Sequence, residues 1–208
     1  MQQGSQSLKR SLAYSRTGAI EDLTVLDIGA GNGSFLITAK MAGLHHLAAT
    51  DITDSCAPLL KAFNINLHVG DILELELGQY DVITAHHVLE HVTDPNAFLS
   101  RIHSLLNDQG IVHLILPNEG SLTSIIKSTL SKYKIKKEAY KHLSPSHHLY
   151  FYEKFSIRNL LQKHHFEILY VGTRCKPKQR SLIAAAAHDL LDTLHLNTWL
   201  EVVAKKPG

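Results

Sequence analysis

The sequence predicts an α/β fold in which a doubly wound, parallel sheet is covered by helices on both faces. Three observations carry that expectation. Apolar, strand-like runs alternate with segments of helical periodicity along most of the chain. The first run, Val25-Leu26-Asp27-Ile28, breaks into the glycine-rich turn Gly29-Ala30-Gly31-Asn32-Gly33 and reopens as a helix at Ser34, the order of a nucleotide-binding βα unit. Acidic, glycine or histidine signals then recur where successive runs end: Asp27 with the glycines, Asp51, Asp71, and His86-His87. In an open α/β sheet that edge is where ligands bind.

Each element has a local reason. Residues 24–28 form the first strand, with a helix over 33–42 that Gly43 stops as a C-cap glycine. A second strand spans 46–50 and ends at Asp51, followed by a helix over 55–62, a third strand over 66–69 and a fourth over 80–85. Asp94 caps the next helix and Pro95 takes its first position, where a missing N–H costs nothing. Ala97, Phe98, Ile102, Leu105 and Leu106 supply that helix with an apolar stripe. Gly110 turns the chain into strand five, 111–116, a nearly continuous apolar run suited to a central parallel strand. The alternation breaks over 117–150, an insertion with one helix near 122–130. It resumes with a helix over 154–164, a strand over 166–171, a helix over 181–194 and a last strand over 198–204.

Length and composition fit one globular domain of 208 residues, 44% of them hydrophobic. Within it, residues 1–20 form an N-terminal segment whose polar start is expected to fray. Residues 23–118 form the cofactor-binding core, 117–150 a substrate-side insertion, and 151–208 complete the sheet. The longest apolar runs are too short to cross a bilayer, and no signal segment opens the chain. Cys56 and Cys175 make neither a framework nor a C-x-x-C pair, which suits a reducing cytoplasm. A net charge of +2 predicts neither a nucleic-acid nor a membrane partner. Histidine is abundant, at 15 residues, but adjacent histidines on a strand point to opposite faces, so most of the pairs read as surface or helix-end residues.

The glycine loop has its own charge logic. The spacing is G-x-G-x-G, with Ser34 where a dinucleotide fingerprint places its last glycine. Asp27 would repel a pyrophosphate, yet it suits a ligand carrying an ammonium and a sulfonium. Asp51 follows Gly33 at nearly the distance expected of an acid that binds ribose hydroxyls.

The segments VLDIGAGNGSF, ATDIT, VGDILEL, YDVITAHHVLEHVTDP and LLNDQGIVHLILPN, together covering roughly residues 23–118, resemble class I S-adenosylmethionine-dependent methyltransferases in order and spacing. HHLYFYEKFSIRNLLQKHHFEIL extends a weaker match to about residue 169. Within that superfamily the chain most resembles small-molecule enzymes, the ubiquinone-biosynthesis O-methyltransferases among them. The resemblance implies a Rossmann-like, seven-stranded sheet, mostly parallel with an antiparallel last strand, and S-adenosyl-L-methionine as cofactor. It implies that Asp27 and the loop at Gly29, Gly31 and Gly33 hold the methionine moiety. Asp51 would accept from the ribose hydroxyls with Ile52 packing on adenine, and Asp71 would bind the adenine amino group with Ile72 packing nearby. His86 would line the methionine end.

The expected reaction is methyl transfer to a small-molecule acceptor, a hydroxyl oxygen first. A hydroxyl needs its proton removed, and histidine is the natural base near neutral pH. His147, His148 and His87 are the candidates, with the 147–148 pair favoured because it lies in the insertion that should roof the site; His91 also follows strand four. An amine or carboxylate acceptor, or a non-catalytic cofactor-binding protein acting through partners, are the alternatives. Asp27 and Ser34 disfavour a dehydrogenase. No metal is expected. His87, Glu90 and His91 would share a face if the segment turns helically, and quinone-type relatives show Glu-x-x-Glu-His here, but His87 replaces the first Glu. The lysines at 127, 132, 134, 136, 137 and 141 read as a solvated lid, and Trp199 as a packing residue of the last strand.

Overall fold

A computed structural model describes residues 2–15, 19–133, 148–174 and 196–208. Seven strands form one sheet in the order β3-β2-β1-β4-β5-β7-β6. They are β1 (Thr24–Ile28), β2 (His46–Asp51), β3 (Asn66–Val69), β4 (Tyr80–His86), β5 (Leu106–Pro117), β6 (Glu167–Arg174) and β7 (Trp199–Lys205). The strands β1 to β5 pair in parallel, whereas β7 runs antiparallel to both β5 and β6 and lies between them. The sheet is thus mostly parallel with an antiparallel last strand, as expected. Strand order reverses between β1 and β4, which opens a crevice at their C-terminal ends.

Helices α1 (Gln2–Tyr14), α2 (Ser34–Met41), α3 (Ala57–Ala62), α4 (Pro95–Leu105), α5 (Leu122–Lys132) and α6 (Lys154–Lys163) accompany the sheet. One core cluster joins Leu26, Ile83, Phe98, Ile102, Leu114 and Ile157 beneath α4 and α6; the other joins Val25, Leu36, Leu60, Val82 and Ile111 beneath α1, α2 and α3. Each large side chain buried this way contributes about 1.5–3 kcal/mol from the apolar area it removes from water. Asp94 caps α4, accepting from Asn96 and Ala97 N–H, with Pro95 at the first position. Gly43, at φ 96°, stops the turn after α2.

Two expectations need correction. The N-terminus does not fray: residues 2–14 are helical, and Ser7, Leu8 and Ser11 are buried. Strand five begins at Leu106, directly after α4, rather than at Ile111. Gln109 takes a left-handed φ of 66°, and the β4 register shifts between Tyr80 and Val82, so the strand absorbs an irregularity that reads as a turn in the sequence. The helix expected over 181–194 lies outside the described residues. Among the described residues no helix is long and apolar enough to cross a membrane.

Candidate active site

The glycine loop folds back over the end of β2. Gly29 and Ala30 N–H both donate to the Thr50 carbonyl, at 2.8 and 3.1 Å. Gly29 needs its glycine twice over: its φ is 68°, and a Cβ there would sit 2.5 Å from Val88 Cγ2. Gly31 N–H donates to Asp51 Oδ2 at 2.9 Å, while Asp51 Oδ1 accepts from the N–H and Oγ1 of Thr53. Asp51 is therefore staked between the loop and the turn after β2, with lone pairs remaining for a further donor. Asp71 accepts from Leu73 N–H and is itself exposed at the end of β3.

These strand ends surround a cleft of about 460 Å³. Of the residues expected to meet a cofactor, Gly29, Asp51, Ile52, Asp71 and Ile72 line it, and so does His87. Ile52 is 81% exposed on the lip. An apolar side chain held in water beside buried Ile72 offers a surface that a flat ring can cover. Gly31, Gly33, Asp27 and His86 lie outside that lining. Gly33 caps α2 at φ 72°, where a Cβ would press on Leu60.

Asp27 lies beneath the loop, 4% exposed, and accepts from Thr84 Oγ1 at 2.6 Å. Burial pushes its carboxyl up from an ordinary 3.8 to about 7; the Thr84 bond offsets part of this, and nearby Asp51 adds to it. A cation arriving beside it would restore the charged form. Register extends this polarity across the sheet, because Asp27 pairs with Thr84 and Thr84 with His113. His113 Nδ1 meets Ser11 Oγ of α1 at 2.8 Å, and its Nε2 meets Glu201 Oε1 at 3.1 Å. Glu201 also accepts from Arg174 at 3.2 Å. His86 packs between Phe35 and His113, with ring centroids 5.3 and 5.1 Å away, and its Nε2 is buried without a partner. Burial keeps His86 well below its ordinary pKa, hence neutral.

The other wall follows β4. His87 adopts a left-handed φ of 58°, held there by its N–H bond to the Ile115 carbonyl at 2.8 Å. Its Nδ1 lies 3.5 Å from Glu90 Oε1, and its ring stands edge-on to Trp199 with centroids 4.8 Å apart. Among the described residues, His87 Nε2, both Glu90 carboxylate oxygens and the Tyr152 hydroxyl are buried with no hydrogen-bond partner. His91 Nε2 is 3.9 Å from Glu90 Oε1, and the His91 ring faces His148 at 5.0 Å. Glu90, His91 and His148 hold potential ligand atoms within 4.8 Å of one another, a grouping that shares Glu90 and His91 with the candidate set read from the sequence and has His148 where that set has His87.

Of the three candidate bases, His87 lines the cleft, His148 packs on His91 and Phe151, and His147 lies outside the described residues. The lysines from 134 onward lie outside them too, while Lys127 and Lys132 are exposed on α5. Sequence reasoning read Trp199 as core packing. It is half-buried against His87, and only the antiparallel seating of β7 beside β5 puts it there. Val88, wedged against Gly29, and Tyr152 were likewise missed, since nothing in an apolar or aromatic residue's spacing reports a cleft wall.

A profile of the family described as a methyltransferase domain matches residues 4–171. The chain is 31% identical over 120 residues to the ubiquinone biosynthesis O-methyltransferase of Glaesserella parasuis, a match covering 50% of this chain and 50% of that protein. It is 30% identical over 109 residues to the ribosomal protein L11 methyltransferase of Lactobacillus gasseri, covering 47% of this chain and 34% of that protein. The chain thus spans half or less of these curated relatives. Among solved structures, that of a putative methyltransferase complexed with the Trm112 methyltransferase activator of Haloferax volcanii aligns over 100% of this chain and 92% of that chain. Its TM-score is 0.69 at 15% identity, a likeness of fold.

Proposed function

The chain belongs to the methyltransferase domain family, and on that premise we propose that it moves a methyl group from S-adenosylmethionine to a hydroxyl oxygen of a small-molecule acceptor. One observation carries the reading: His87, with an unpartnered ring nitrogen, lines the same cleft as Gly29, Asp51 and Asp71. The donor set fits the cofactor. Asp27 and the left-handed loop at Gly29, Gly31 and Gly33 would hold the methionine end, with buried His86 near it. Asp51 would accept from the ribose hydroxyls, Ile52 and Ile72 would sandwich adenine, and Asp71 would take its amino group. When bound, S-adenosylmethionine supplies a methyl carbon activated by its sulfonium. His87 would take the acceptor's proton as the acceptor oxygen bonds to that carbon and the carbon–sulfur pair stays on sulfur. Orientation supplies much of the remaining acceleration.

Calorimetry tests the cofactor: S-adenosylmethionine and S-adenosylhomocysteine should bind and NAD should give no heat. NAD binding without the sulfonium cofactor would overturn the proposal. Asp51→Ala should weaken S-adenosylmethionine by more than about tenfold, the loss of a charge-assisted bond worth roughly 1.5–3 kcal/mol. A panel of phenols, amines and carboxylates, read by tritiated methyl transfer, tests the acceptor. Turnover confined to amines or carboxylates would remove the hydroxyl.

A further inference from the structure

Among the described residues, Glu90 is the least explained buried group. It is 1% exposed, and neither carboxylate oxygen has a hydrogen-bond partner among those residues. A carboxylate in that state is unfavourable unless something answers its charge. The nearest candidate is His87, whose Nδ1 stands 3.5 Å from Oε1. That is ion-pair distance, slightly short of hydrogen-bond alignment, and catalytic hydrogen bonds are often loose before the reactants arrive.

His87 is held from three directions. The carboxylate lies on one side, the Trp199 ring stands edge-on at 4.8 Å, and the backbone is pinned at φ 58° by the bond to Ile115. A histidine in the left-handed region is strained and persists only where its surroundings dictate it. The remaining ring nitrogen, Nε2, is enclosed and, among the described residues, unpartnered. An orphaned carboxylate against one nitrogen of the ring, and an orphaned second nitrogen on the same cleft-lining residue, call for a single account.

We infer that Glu90 is a positioning residue: its carboxylate keeps His87 in the Nδ1-protonated tautomer, leaving the Nε2 lone pair as acceptor for the methyl acceptor's hydroxyl proton. When Nε2 takes that proton, Glu90 balances the imidazolium. The inference rests on the base assignment above, but its structural half does not depend on turnover.

The test is the His87 tautomer, read by long-range proton–nitrogen NMR on the ¹⁵N-labelled full chain, with and without S-adenosylhomocysteine. His87→Asn assigns the signal by deleting it. The wild type should show Nδ1–H, and Glu90→Gln should move His87 toward the Nε2–H form. Glu90→Asp, which keeps the charge but draws it back by one methylene, should give an intermediate spectrum and serves if Gln at 90 unfolds the chain. An unchanged tautomer in both variants overturns the inference. So does a wild-type signal that shifts on adding EDTA, which would give the carboxylate to a bound cation. In turnover with an acceptor from the panel, Glu90→Gln should lower kcat by about 100-fold, the scale of general-base catalysis, with KM little changed. The double variant His87→Asn/Glu90→Gln should be no slower than His87→Asn. A His87→Asn enzyme at wild-type kcat, beside a Glu90-dependent tautomer, would fail the base assignment and leave the pairing standing.

Discussion

The substitution Asp27→Asn isolates the electrostatic cost of the site. Asp27 is buried with one neutral donor, Thr84 Oγ1, and its carboxyl is pushed up to about 7 from an ordinary 3.8. An unfolded chain ionises this group near its ordinary value, so between those two pH values the unfolded state binds fewer protons than the native state. Linkage then makes the native state lose stability as pH rises from about 4 to 7, with the full loss above 7. Roughly three units at about 1.36 kcal/mol each set the loss at about 4 kcal/mol. Asn has no charge to desolvate and keeps an oxygen to accept from Thr84. At pH 8 Asp27→Asn should therefore be the more stable protein by up to about 4 kcal/mol, or roughly 10 °C for a chain of this size. At pH 4 the two should nearly coincide.

Urea melts of the ligand-free proteins at pH 4.5, 6 and 8 measure this directly. Calorimetry should show the reverse preference in function: the variant binds S-adenosylmethionine less tightly, and wild-type affinity falls as pH drops below 7. Stability curves that run parallel for the two proteins across this range would refute the reasoning, because they would mean that Asp27 pays no burial penalty. Gain of stability with loss of binding is the trade expected of a strained functional group.

Other outcomes follow from single contacts. Gly29→Ala should destabilise the protein by about 2–4 kcal/mol in chemical melts, because it adds left-handed strain to a clash with Val88; Val88→Ala in the same chain should recover only the clash. The α1 contact should be acid-labile. Burial holds His113 below its ordinary pKa, so its neutral form loses ground as pH falls from 6.5; Glu201, which burial would raise, is held low by His113 and Arg174, and its contribution is lost as pH falls below 4.5. Hydrogen exchange at Ser11 and Leu12 should lose protection between pH 7 and 5 once the slower intrinsic exchange at lower pH is corrected for, while β1 amides stay protected.

Much of the sheet was legible because parallel strands buried on both faces must be largely apolar. Val25 to Ile28 and Ile111 to Leu116 read as strands even though each carries one polar residue, Asp27 and His113. The cleft edge was legible for a different reason: Gly29, Asp51 and Asp71 sit at strand ends and line one cleft, so chemistry and spacing point the same way. Helix α1 was invisible because its buried side mixes Leu8 with the polar Ser7 and Ser11. Ser7 and Ser11 look like surface residues until His113 and Arg174 supply their partners from β5 and β6, about a hundred residues or more away. The Glu90, His87 and Trp199 cluster failed for a related reason. Spacing brings Glu90 near His87, but Trp199 reaches them only through the insertion of β7 between β5 and β6.

The two faces of the sheet show how this architecture divides labour. The face beneath α4 and α6 is apolar across the central strands, with Leu26, Ile83 and Leu114 all buried. On the opposite face the registered row Asp27, Thr84 and His113 is polar, and Glu201 and Arg174 continue that polarity toward the far edge. Packing alone would replace such a row with leucine and valine, since buried polar groups are at best neutral to stability. Its two ends account for it separately. At β1 the carboxyl of Asp27 lies beneath the glycine loop, where the proposed cofactor would bring a cation; at β7 the charges are matched and anchor α1 through Ser7 and Ser11. Binding a cation at the first end restores the carboxylate that burial suppresses, and the fold then gains by ligand binding what it gives up in the free state.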